Sequence, residues 1–154
     1  MERFARAIYR DPILGPGGPV NEPVPAWTAL GFKFGDKGAH TSRTMMLEEL
    51  TGLLAACPAD SKREDYVRAT TEENCLGKRT VSTRKLTLQR LSELHGLDEG
   101  VPLFRLLRMF WDADEAARPR LALLTALARD PLLRATAPVV MELGPGEEIA
   151  RQRM

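Results

Sequence analysis

Residues 80–96, TVSTRKLTLQRLSELHG, decide how the chain is read. Set at about 100° per residue, Leu88, Leu91 and Leu94 share one face, while Ser82, Lys85, Gln89 and Ser92 share the other. That is an amphipathic helix, with Thr80 or Ser82 able to cap its start and Gly96 to end it. The preceding stretch, SKREDYVRATTEEN, reads as a second helix capped by Asp60 or Ser61 and anchored by Tyr66, Val67 and Ala69. Asn74, Cys75, Leu76 and Gly77 form its exit, with Asn or Gly supplying a left-handed residue. Residues 61–96 therefore have the outline of a helix-turn-helix, whose second helix can lie in a DNA major groove.

The same periodicity continues outward. Upstream, RTMMLEELTGLLAAC follows a cap at Thr41 or Ser42 and spaces Met46, Leu50, Leu53 and Leu54 at helical steps. Downstream, VPLFRLLRMFW places Leu103, Leu106, Leu107 and Phe110 together, and PRLALLTALAR runs to about Arg129. Asp130-Pro131 offers a cap and a first-turn proline for PLLRATA. Nearly everything from 41 to 137 is expected to be helical, which makes the fold class all-α, a compact multi-helix domain over 37–143. Ahead of it, residues 1–36 comprise a short helix at Glu2 to Tyr9 and a Pro/Gly-rich arm. The arm includes DPILGPGGPVNEPVP, whose prolines and glycines interrupt regular hydrogen bonding. Phe32 and Phe34 alternate with Lys33 as in a short extended segment. Residues 144–154, GPGEEIARQRM, have the shape of a helix start cut off after about two turns, as in a fragment of a longer chain or, alternatively, a natural short terminal helix.

Composition sets limits on function. The 154 residues carry 22 Lys+Arg against 21 Asp+Glu, a net charge of +1, so any nucleic-acid site has to be a local patch. A 154-residue chain can bury a sizeable core without disulfides or metals. Cys57 and Cys75, with only His40 and His95 as co-ligands, do not make a zinc site or a disulfide framework, and free thiols suit a reducing cytoplasm. No apolar stretch approaches the ~20 residues of a membrane span, and no signal pattern opens the chain.

The local patch lies at the start of the deciding helix. Lys78, Arg79, Arg84, Lys85 and Arg90 fall between 78 and 90 with no acid among them. Lys78, Arg79, Thr80 and Thr83 are placed to take phosphates, with Arg84 as a further anchor. Ser82, Lys85 and Gln89 are types able to hydrogen-bond base edges. The alternative is an ordinary solvated basic face, with Arg84 and Arg90 near enough to the apolar arc to serve packing or ion pairs. Other signals point to structure. GDKGAHTSRT lacks the order of a phosphate-binding loop. Asp112, Asp114 and Glu115 suit capping and first-turn charge better than a divalent cation, and His40 and His95 suit caps or exposed positions. Met45, Met46, Met109, Phe110 and Trp111 are core candidates. No nucleophile, acid/base or metal constellation assembles, so neither an enzyme nor a cofactor nor a small-molecule substrate is expected.

The motifs KGAHTSRTMMLEEL, EEN and CLGKRTVSTRKLTLQRLSEL, continued by VPLFRLLRMFW and ARDPLLRAT, resemble the small BrxA-type proteins of BREX phage-resistance systems. The likeness spans about residues 37–143 and rests on Asn74, the Leu76-Gly77-Lys78-Arg79-Thr80 turn, Thr83 and the Arg90-Leu91 pair. It implies a helical protein with helix-turn-helix elements, acting without catalytic residues in antiviral defence alongside other proteins of the system. It also implies a nucleic-acid surface on Lys78, Arg79, Thr80, Thr83 and Lys85, for double-stranded DNA or, through the family's likeness to the NusB antitermination protein, RNA. The proline-rich arm and the short C-terminal portion depart from that pattern.

Overall fold

The computed structural model describes residues 23–38 and 45–148. The expected helix at Glu2 to Tyr9, most of the proline-rich arm, the caps at Thr41 and Ser42, and residues 149–154 lie outside that set. Within it the chain is all helical, with no strand. Its helices are α1 (Pro25–Leu30), α2 (Leu47–Ala56), α3 (Arg63–Thr71), α4 (Val81–His95), α5 (Pro102–Trp111), α6 (Arg118–Arg129) and α7 (Pro131–Met141), with a 3-10 turn at Glu115–Ala117.

Helix α4 starts and stops where its residues require. Thr80 Oγ1 accepts the Thr83 amide at 3.1 Å, and Gly96 ends the helix at φ 88°. That conformation suits glycine, and a Cβ here would also meet Val101 and the Arg129 guanidinium at 3.3 Å. Leu91, Leu94 and His95 turn inward, so α4 packs against α3 on one side and α6 on the other. Around them Leu50, Leu53, Leu54, Tyr66, Leu97, Phe104, Leu107, Trp111, Ala122 and Ala126 complete one core. Each large apolar side chain there contributes about 2 kcal/mol through burial.

Several expectations are corrected at element edges. Lys62, not Asp60 or Ser61, precedes α3, and the Asp65 carboxylate accepts the Lys62 amide at 2.9 Å. Helix α3 ends at Thr71, leaving residues 72–80 as a connection longer than the 3–4-residue turn of a helix-turn-helix. In that connection Asn74 takes the left-handed position, φ 54°, and its Oδ1 accepts the Lys78 amide at 2.8 Å. Helix α2 begins at Leu47, after Met45 and Met46 at positive φ. The short α1 has no counterpart among the expected helices, although Pro25 at its first position and left-handed Gly31 at its end are ordinary boundary residues. Helix α7 continues through Pro138 to Met141, and Glu147 and Glu148 are not helical.

Helix α5 faces the core differently from the expected stripe. Phe104, Leu107, Arg108 and Trp111 are buried, whereas Leu106, Met109 and Phe110 are 50%, 60% and 49% exposed. The expected stripe counts apolar residues alone, and an arginine at the centre of the buried face displaces it. Arg108 donates to Leu54 O at 2.9 Å and Cys57 O at 2.8 Å, satisfying carbonyls at the C-terminal end of α2.

This use of arginine recurs through the molecule. Arg84 donates to Thr71 O at the end of α3, Arg118 to Trp111 O at the end of α5, and Arg134 to Leu127 O and Ala128 O at the end of α6. Arg129 reaches Ser92 O and Glu93 O near the end of α4 and Gly31 O after α1. A guanidinium suits helix C-termini on two counts, because it presents several donors and its charge opposes the negative end of the helix dipole.

Candidate nucleic-acid interface

The predicted site residues separate into two groups. Ser82, Thr83, Lys85 and Gln89 lie exposed on α4, with Arg79 and Thr80 exposed just before it. Among the described residues, no hydrogen bond or ion pair engages the Arg79 or Lys85 side chain. Lys78 and Arg84 are in the other group. Lys78 is half-buried with its Nζ 3.1 Å from Glu49 Oε1, and Arg84 is tied through Nη1 to Thr71 O at 3.1 Å. Their charges are engaged within the fold. Thr80 and Thr83 are partly engaged as well: beyond the capping bond, their hydroxyls share a hydrogen bond of 2.8 Å. Gln89 Nε2 donates to Glu93 Oε1 at 2.9 Å, leaving its carbonyl oxygen unbonded among the described residues.

Lys85 and Gln89 form one wall of a groove of about 550 Å³ between α3, α4 and the segment following α1. Its floor is apolar, with Val67, Leu88 and Leu97, while Lys33, Arg63, Lys85 and Arg129 set four cations against Glu93. Arg63 is answered by Asp98, 3.4 Å away. Desolvation along the groove wall, and next the charge of Arg129, lower the Lys33 pKa from the ordinary lysine value. A smaller hollow of about 200 Å³ continues past Lys33 to Lys37 and Gly38. Sequence reading missed Lys33 and Lys37 because they stand far from α4 in the chain, with no periodicity linking them to it.

Other candidates resolve into structural roles. Asp114 Oδ1 accepts the Ala116 amide at 2.9 Å, the capping role expected of it. Among the described residues, no three His, Cys, Asp or Glu side chains gather as a metal site. His95, expected at a cap or an exposed position, is fully buried. Its Nε2 lies 2.8 Å from Met45 O and its Nδ1 2.8 Å from Thr125 Oγ1. A carbonyl only accepts, so Nε2 carries the proton of the neutral ring and Nδ1 accepts from the hydroxyl. Burial, above all, lowers the His95 pKa to about 4. Cys57 is buried and Cys75 half-buried, both as free thiols, and burial raises both pKa values.

Fold and site together define an all-α protein with one exposed polar helix face bordered by a cationic groove. No described helix is long and apolar enough to cross a membrane. In comparisons with family models, curated proteins and solved structures, nothing matches the chain.

Proposed function

We propose that the protein is a non-enzymatic module that binds duplex DNA through the N-terminal half of α4, as a component of a bacterial phage-defence system of the BREX type. The observation that carries the binding is the exposed set Arg79, Ser82, Lys85 and Gln89, whose two cations have no intramolecular partner among the described residues. Arg79 and the free amides at the start of α4 supply phosphate contacts, while Ser82, Lys85 and Gln89 face base edges. Lys78 and Arg84 support this surface from behind by fixing the 72–80 connection. The defence setting rests on the resemblance of residues 37–143 to BrxA-type proteins.

Fluorescence anisotropy with duplex DNA at low and moderate salt tests the binding. The expected result is salt-sensitive association, weakened at least about tenfold when Arg79 and Lys85 are both replaced by alanine. Absence of binding, or binding indifferent to those changes, overturns it. Preferential displacement of the duplex by structured RNA moves the ligand to RNA.

A second reading, a scaffold expected on apolar faces including Leu103, Leu107 and Phe110, is favoured instead by the outer face of α5, where Leu107 is buried but Leu106, Met109 and Phe110 are exposed together. Such a surface suits a scaffold contacting other proteins of the system. A stoichiometric protein complex, combined with no nucleic-acid affinity of the isolated chain, selects that reading.

A further inference from the structure

Resting on the duplex reading of α4, we infer that Lys33 and Lys37 form a second contact to the phosphodiester backbone, at the opposite end of α4 from Arg79. Both line the 200 Å³ hollow beside Glu93, and Lys33 also lines the larger groove with Lys85 and Gln89. One cationic track thus runs along the exposed side of α4.

The spacing fits the two sides of a major groove. Arg79 stands two positions before α4, and from Val81 to Glu93 the helix itself runs twelve positions, about 18 Å at the helical rise of about 1.5 Å per residue. A B-form major groove is about 12 Å wide, so a helix seated in it brings groups near its two ends within reach of the two bordering backbones. Arg79 meets one backbone and the Lys33–Lys37 segment meets the other.

The segment is held in place for this role. The Lys33 amide donates to Ala128 O at 3.1 Å, and Lys33 O accepts from Arg134 Nη2 at 2.7 Å. Gly38 sits so close to the Asp130 carboxylate that any larger residue would displace the strand of chain. These contacts use the main chain and leave both lysine side chains exposed. Arg129 adds charge without a free hand, since Nε, Nη1 and Nη2 all bond carbonyls. Glu93, the one carboxylate lining the hollow, is held by Gln89. The hollow's lining therefore sets three cations against one acid, with Asp130 beside Gly38 as a second carboxylate acting on Lys33.

The decisive measurement is the salt dependence of duplex binding for K33Q/K37Q, beside K85A and the exposed control R120Q. Two lost phosphate contacts lower the slope of log affinity against log salt by about 1.8 and the affinity about tenfold or more, with R120Q unchanged. Circular dichroism of K33Q/K37Q is expected to match the parent, because the bonds that position the segment are main-chain bonds. An unchanged slope in K33Q/K37Q alongside weakened binding in K85A overturns this inference and leaves the α4 reading standing. Failure of the parent chain to bind duplex DNA removes both.

Discussion

Lys78 Nζ lies 3.1 Å from Glu49 Oε1, joining the turn before α4 to the first turn of α2, with both side chains about three-quarters or more covered. A cation that looks like a phosphate anchor in the sequence is thus part of the scaffold. Replacing Lys78 by methionine should cost about 1–2 kcal/mol, between the values for exposed and fully buried pairs. Urea denaturation checks the loss, and the salt slope of DNA binding should stay at the parental value.

His95 makes stability depend on pH. Its folded pKa of about 4 lies below the ordinary value of 6.5, so the unfolded chain takes up a proton over that range while the folded protein does not. Stability is therefore fully present above about pH 6.5, is lost as pH falls toward 4, and levels off below. The contribution is about 3 kcal/mol. Denaturant midpoints at pH 7 and pH 4.5 should differ in the parent and differ less in H95Q. Equal differences in the two proteins would assign the pH dependence to other groups.

Arg129 serves three carbonyls at once and is 8% exposed. Alanine at this position leaves Gly31 O, Ser92 O and Glu93 O without that donor and is expected to cost about 3 kcal/mol or more. Lysine should not restore the loss, because a single ammonium cannot reproduce a planar fork of donors. Thermal melts of R129A and R129K should both fall well below the parent.

Thr80 closes the first turn of α4 through the Thr83 amide. T80A should lose about 1 kcal/mol of stability, as for other N-cap deletions, while T80S should retain most of it. Chemical denaturation separates the two variants. A neutral T80A would show that the capping bond adds nothing to the fold.

Phe104 and Phe110 occupy opposite sides of α5, 2% and 49% exposed. F104A should cost about 3–5 kcal/mol by opening a cavity beside Tyr66, whose ring meets Phe104 edge-on at 5.5 Å. F110S should change stability by less than about 0.5 kcal/mol. Comparable losses in both variants would place Phe110 in the core after all.

Local chemistry was legible where one segment contains its own partners. Thr80, Gly96, Asp114 and Asp130 act on amides or turns within a few residues, so their roles follow from the sequence around them. The all-α class and the exposed polar face of α4 follow from spacing in the same way. The near-even count of 22 basic and 21 acidic residues, by contrast, does not tell which charges face outward.

That division of the cations was decided only by tertiary structure. Arg84, Arg108, Arg118, Arg129 and Arg134 are drawn to helix ends by unsatisfied carbonyls that exist only once the helices have formed and packed. The same packing buries His95 against Met45 O, fifty positions away, and brings Lys33 and Lys37 beside α4. Helix periodicity is a property of neighbouring residues, whereas a free charge is defined by what the whole fold leaves unpaired. By itself the sequence determined most of the helices and the polar face of α4; tertiary structure determined which face of α5 is buried and which charged side chains remain unpaired among the described residues.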